Sequence, residues 1–140
     1  MPQASEKEDR ASTRTAEVAP PVILLIEDDP DIRVELRLLL EEEGYAVLEA
    51  ADARAGIRLA VMRRPAMIIQ DLLLPDTPGF ELVKELRRLP GGETRPIIAL
   101  SAFPDRLTEA EVSALGFSTF VRKPPAIEEL CEVVRRFLPP

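Results

Sequence analysis

The chain has 140 residues, 46% of them hydrophobic, enough for one core-bearing domain of about 120 residues and a tail. Its 25 acidic against 18 basic residues give a net charge of −7, which argues against a general nucleic-acid surface. One Cys excludes an intrachain disulfide framework, and the absence of His excludes a Ser-His-Asp or Cys-His nucleophile pair and His-ligated zinc. Acid–base or metal chemistry must therefore come from carboxylates, Lys, Tyr or hydroxyls. No apolar run reaches the roughly 18 residues of a membrane span, and the N-terminus lacks a signal-peptide stretch. A cytoplasmic protein with no membrane insertion and no direct nucleic-acid binding is expected.

Residues 1–20 mix acids and bases with little apolar content and end at Pro20-Pro21, which predicts a disordered leader before a domain over 21–140. Val22 to Ile26 is a continuous apolar run stopped by acids, the pattern of a strand buried on both faces. Asp31 to Glu43 follows with Ile32, Leu36, Leu39 and Leu40 at helical spacing, and Gly44 as the stop. Tyr45 to Leu48 predicts a second strand. Asp52 is placed to cap a helix through about Arg64, with Ile57, Ala60 and Val61 turned inward.

Met67 to Ile69 predicts a third strand, running into Gln70-Asp71. Pro75, Pro78 and Gly79 mark a loop, Phe80 to Leu89 a helix, and Pro90-Gly91-Gly92 its end. Ile97 to Leu100 predicts a fourth strand followed by Ser101, then a helix from Asp105 to Leu115 closed by Gly116. Thr119 to Val121 predicts the fifth strand and Ala126 to Leu138 the last helix, where Cys131 reads as a buried core thiol. Five apolar strands alternating with five helices predict an α/β fold, a (βα)5 doubly wound five-stranded parallel sheet.

Ligands of such sheets bind outside the carboxyl ends of the strands. There the sequence places Glu27-Asp28-Asp29, Asp71, Ser101 and Lys123-Pro124, while the second strand offers only Glu49. Singly these have ordinary explanations: Asp29 or Asp31 as helix caps, Asp71 as a turn residue, Ser101 bonding its own loop, Lys123 as a solvated charge. Together they form one chemistry. Clustered carboxylates repel and need a cation, and an all-oxygen donor set selects a hard ion such as Mg²⁺. Lysine and a hydroxyl suit phosphoryl oxygens, and a carboxylate can accept a phosphoryl group as an aspartyl phosphate.

Glu27-Asp28, Asp71-Leu72-Leu73-Leu74-Pro75, Ser101-Ala102 and Lys123-Pro124, in this order and spacing, resemble the signature of two-component response-regulator receiver domains (single-domain, CheY-like). The resemblance covers about residues 21–138 and implies a flavodoxin-like receiver fold. It implies that Asp71 is the phosphoacceptor and that Mg²⁺ is held by Asp28, by Glu27 through water, by Asp71 and by the backbone carbonyl of Leu73. Ser101 and Lys123 would engage the phosphoryl group, Ser101 and Phe120 would be the switch pair, and the Lys123-Pro124 bond would be cis. The donor would be a phosphohistidine on a sensor histidine kinase or histidine phosphotransfer protein.

The output would be a changed surface on the fourth helix, fifth strand and fifth helix, with Leu107, Thr108 and Glu111 as candidate contacts. An unknown protein target would read it, and a phosphorylation-dependent dimer is left open. Such a protein is a signalling switch rather than an enzyme. Its alternative is a degenerate receiver that binds partners without phosphorylation. A flavin- or nucleotide-binding module fits less well, because Glu27-Asp28-Asp29-Pro30 repels phosphate, as does a small Mg²⁺-dependent phosphatase, because Leu73 stands where a general acid is wanted. Three departures from the family pattern stand out. Pro78 precedes Gly79 in place of the usual acid, Ala126 follows Pro124-Pro125, and both Leu73 and Phe103 are apolar, which predicts slow loss of the phosphoryl group.

Overall fold

The computed structural model describes residues 19–102 and 108–138. The expected leader, apart from its last two residues, lies outside the described residues, as do Phe103, Asp105 and Leu107. The elements alternate as expected: β1 Val22–Ile26, α1 Pro30–Glu42, β2 Ala46–Ala50, α2 Ala53–Arg63, β3 Met67–Asp71, α3 Gly79–Arg88, β4 Ile97–Ser101, α4 Glu109–Leu115, β5 Thr119–Arg122 and α5 Ile127–Phe137. The five strands form one parallel sheet in the order β2-β1-β3-β4-β5. This is the doubly wound arrangement, with the strand order reversing between β1 and β3.

Alternate residues of each apolar run feed opposite cores, because side chains on a strand alternate faces. Leu24, Ile26, Ile68, Ile97 and Ala99 pack with Ala53 and Ala60 of α2, Leu82, Val83 and Leu86 of α3, and Val112 of α4. Ile23, Leu25, Met67, Ile69, Ile98 and Leu100 pack with Leu36 and Leu40 of α1, and with Leu130 and Val134 of α5. Two-sided burial is why β1, β3 and β4 read as unbroken hydrophobic runs. Cys131 is buried, as expected.

The differences from the expected pattern have local causes. Asp29, not Asp31, caps α1: its Oδ1 accepts from the backbone N–H groups of Asp31 and Ile32. Asp52 caps α2 as expected, its Oδ1 accepting from Ala55 N at 2.8 Å. Val61, expected inward, is exposed, because α2 packs through the small residues Ala53, Gly56 and Ala60. A Cβ at Gly56 would stand 2.5 Å from Ile26 Cδ1, so any larger residue there would force the Ile26 side chain to shift.

β2 begins at Ala46 and runs through Ala50, so Glu49 lies within the strand rather than beyond its end. Arg33 Nε and Arg37 Nε of α1 both reach back to Glu49, at 3.0 and 2.6 Å. The fourth helix begins at Glu109, with Thr108 as its N-cap in a reciprocal capping box with Glu111. Thr108 and Glu111 thus bond to each other's backbone. Among the described residues, no helix is long and apolar enough to cross a membrane.

Candidate functional site

Four of the five strands, all but β2, end at the sheet's carboxyl edge in or just before a polar residue. β1 ends at Ile26, and the next residue, Glu27, is fully buried, with its N–H bonded to Ala50 O at 3.0 Å. Its Oε2 accepts from Asp29 N at 3.0 Å. Asp28 follows and is exposed. Asp71 is the last residue of β3 and is 3% exposed. Ser101 is the last residue of β4 and is buried. Lys123 follows β5 directly, with Lys123 N bonded to Ser101 O at 2.8 Å, and its bond to Pro124 is cis.

Lys123 Nζ lies 2.5 Å from Asp71 Oδ2 and 2.9 Å from Glu27 Oε1. Asp71 Oδ1 accepts from Leu73 N at 3.0 Å. Both oxygens of Asp71 are therefore oriented, one by a cation and one by the backbone of the loop that follows. Burial pushes the Glu27 carboxyl up from its usual range, against the pull of Lys123 and Asp29 N–H, and the Asp71 charge adds to the rise. Burial alone would lower the Lys123 ammonium; the bonds and charges of Asp71 and Glu27 outweigh it and raise its pKa.

Carboxylate oxygens of Glu27, Asp28 and Asp71 lie within 4.8 Å of one another. One ammonium faces these three acids, so the cluster carries excess negative charge and has room for a cation's charge. The donor set is all oxygen and opens to solvent through exposed Asp28, which fits a hard, partly hydrated divalent ion such as Mg²⁺. The geometry thus gathers Glu27, Asp28, Asp71 and Lys123 into one cluster, with Ser101 at the adjoining strand end, as the sequence placed them.

Residues 23–135 match the family model described as the response regulator receiver domain. The chain belongs to that family. Its receiver domain is 36% identical over 115 residues to the uncharacterized 14.6 kDa protein of the sodA1 3′ region of Leptolyngbya boryana, covering 82% of this chain and 88% of that one. It is 38% identical over 104 residues to the transcriptional regulatory protein AfsQ1 of Streptomyces coelicolor, covering 74% of this chain and 45% of the relative. The chain spans about half the length of the transcriptional regulators it matches.

Among solved structures, the chemotaxis response regulator CheY4 of Vibrio cholerae superposes with a TM-score of 0.78 at 30% identity, covering 85% of this chain and 99% of that one. The receiver domain of a sensor histidine kinase from Pseudomonas aeruginosa PAO1, which has a magnesium ion coordinated in its active-site cleft, superposes at 0.77 and 30% identity, covering 85% and 98%.

Phe120 of the receiver is half-buried in β5 and packs against the α2–α4 side of the core. It also lines a cavity of about 340 Å³ with Val112, Ser113, Thr119 and Arg136, between α4, β5 and α5. Leu73 is 60% exposed in the loop after Asp71.

Three polar residues that the sequence did not single out organise this end of the receiver. Asp76 reaches from the β3–α3 loop to the start of α2, its two oxygens accepting from Ala53 N at 2.9 Å and Arg54 N at 3.0 Å. Buried Gln70, one residue before Asp71, donates from Nε2 to Gly79 O at 3.1 Å. Gly79 needs no side chain there, since a Cβ would come within 2.6 Å of Leu72 Cα. Arg87 of α3 donates to Gly116 O at 2.8 Å and Gly92 O at 2.7 Å, tying the end of α4 to the loop before β4. Each of the three bonds to backbone across a loop, and no composition or spacing signal announces such a bond.

Proposed function

We propose that this receiver accepts a phosphoryl group on Asp71 from a phosphohistidine of a separate sensor kinase or phosphotransfer protein. The observation that carries the reading is the Asp71–Lys123 pair inside the cluster of Glu27 and Asp28. A carboxylate held on both oxygens is pre-aimed for in-line attack. One Asp71 oxygen bonds to phosphorus as the phosphorus–nitrogen bond to the donor imidazole breaks, and that electron pair leaves on the imidazole nitrogen. Lys123, already within hydrogen-bond reach of Asp71, stays beside the transferred oxygens as a counter-charge. With no His of its own, the chain depends on a partner for such a donor.

Asp28, Asp71, the Leu73 carbonyl and, through water, Glu27 are the groups that would hold Mg²⁺. Bound there, the ion supplies charge neutralisation for the phosphoryl oxygens.

Phosphorylation adds about −1.5 to −2 charge at Asp71. Ser101, one strand over, then donates to the new oxygens, and Phe120 turns inward beside the cavity that it lines with Val112 and Thr119. Phe has no hydroxyl, so its inward state rests on packing. The α4–β5–α5 surface changes, and a downstream protein reads it. The protein is a signalling switch, and as such works in the cytoplasm.

Amide spectra recorded before and after acetyl phosphate with Mg²⁺ test this reading. Shifts at Ser101, Phe120 and along α4, absent from Asp71→Asn, are expected. A spectrum that changes only next to Asp71 would contradict the switch.

A further inference from the structure

We propose that the receiver associates with a second copy of itself, the outer face of α1 of one molecule docking on the outer face of α2 of the next. The two helices are complementary in charge, and each carries an exposed apolar pair. On α1, Val34 and Leu38 are 40% and 54% exposed, one turn apart, and the exposed residues around them are Asp31, Glu35, Glu41 and Glu42. On α2, Val61 and Met62, in its last turn, are 51% and 69% exposed, and the helix carries exposed Arg54, Arg58 and Arg63, with Arg64 at its end; Arg54 and Arg58 also line a groove with Asp76 and Glu85.

The separation of charge between the two helices is built by the fold. α1 carries two arginines of its own, but Arg33 and Arg37 are drawn inward to Glu49 on β2, and Arg33 also donates to Glu27 O at 2.7 Å. Its acids are left outward; of these only Glu41 is ion-paired among the described residues, with Arg37 at 3.2 Å. α2 contains no acid, because its cap charges, Asp52 and Asp76, lie outside the helix. Among the described residues Arg58, Arg63 and Arg64 have no ion-pair partner. Four of the seven large hydrophobics exposed among the described residues sit on these two faces. Scattered surface apolars are ordinary; exposed apolar pairs flanked by charges of opposite sign on the two helices suit an interface with an apolar contact and a charged rim.

α1 packs on the α5 side of the sheet and α2 on the α3 side, so a molecule that donates its α1 keeps its α2 open. The contact is therefore head-to-tail and continues past a dimer. One pair of helices about 20 and 16 Å long makes a small interface, below about 1,200 Å², so association is weak and concentration-dependent. A net charge of −7 repels other copies at long range, but at about 0.1 M salt that repulsion is screened beyond about 10 Å while contacting charges still attract.

The test is weight-average mass by light scattering from about 10 μM to about 1 mM, at about 0.1 M and about 1 M NaCl. Wild type is expected to rise above the monomer mass with concentration at the lower salt, without levelling at a dimer, and to fall back at the higher salt. Leu38→Arg places a base in the acidic face and Met62→Glu an acid in the basic one. Each alone is expected to stay monomeric, and an equimolar mixture to associate again. Both sites are exposed, and Glu42→Arg with Arg58→Glu form a second pair with the same logic. A wild type that stays monomeric throughout would overturn the proposal and leave these faces to other proteins. Association that survives Met62→Glu, or a mixture that stays monomeric, would also overturn it.

Discussion

Lys123 Nζ stands 2.5 Å from Asp71 Oδ2, although the two residues are 52 positions apart in the chain. The same ammonium meets Glu27 at 2.9 Å, so one side chain holds together the ends of β1, β3 and β5. That link joins the chemistry of the site to the stability of the fold.

Removing it should expose the conflict between the two buried acids. Lys123→Met is expected to destabilise the receiver by about 1–3 kcal/mol at pH 7, less than for a fully buried pair because the ammonium is partly exposed. The sign with pH follows from Glu27. Its folded pKa is already raised above 4.5, and it rises further without the lysine. The folded state then binds protons more tightly than the unfolded one, so stability is lost as pH rises through that range and regained as pH falls toward 4.5. Urea unfolding of Lys123→Met at pH 7 and pH 5 checks this; an equal deficit at both values would refute it.

A divalent cation should relieve the same conflict. At a hundred times its dissociation constant, Mg²⁺ is expected to stabilise the wild type by about 2.7 kcal/mol. Asp28→Asn, which removes the exposed member of the cluster, should lose most of that gain while leaving stability without Mg²⁺ nearly unchanged. Thermal unfolding with and without MgCl₂ measures both.

The Asp76 clamp predicts a different pH dependence. Burial acts to raise this carboxyl, but its bonds from Ala53 and Arg54 N–H outweigh that and lower it below 3.8. A lowered carboxyl stabilises above its unfolded pKa and loses that contribution as pH falls through the folded one. Asp76→Ala is expected to cost about 0.5–2 kcal/mol at pH 7, the range of a lost helix cap. The gap from wild type should narrow below pH 3.8. A gap that stays constant down to pH 2 would separate the cap from any role of its charge.

How much of this was legible in sequence depends on what each residue bonds to. Asp71, Ser101 and Lys123 could be placed because each directly ends or follows an apolar run, and the parallel order brings those ends together. Val61 was misplaced because helical spacing alone does not separate an apolar stripe from a stripe of small residues, and α2 buries Ala53, Gly56 and Ala60. Asp76 and Arg87 gave no signal, because their partners are main-chain atoms, those of Asp76 22 and 23 positions away and those of Arg87 as far as 29. The salt-bridging of Glu49 was hidden for a related reason: it depends on α1 lying over β2 in a particular register.

The apolar Leu73 beside the site predicts a long-lived phosphorylated state. Leu73→Asn, in the loop after Asp71, together with Phe103→Glu, two positions after Ser101 in the sequence, would replace both apolar groups with polar ones able to orient attacking water, and loss of phosphate should accelerate about tenfold or more. Decay of the phosphorylated form after removal of the donor gives the rate. A double variant no faster than wild type would refute the role of these two positions.

Intact mass after incubation with acetyl phosphate, with and without Mg²⁺, tests the central claim most directly. The account predicts one added phosphoryl group on wild type, dependent on Mg²⁺ and absent from Asp71→Asn. A folded wild type that gains no phosphate with Mg²⁺ present, or an Asp71→Asn protein that gains it equally well, would contradict the account and leave a receiver that acts without phosphorylation at Asp71.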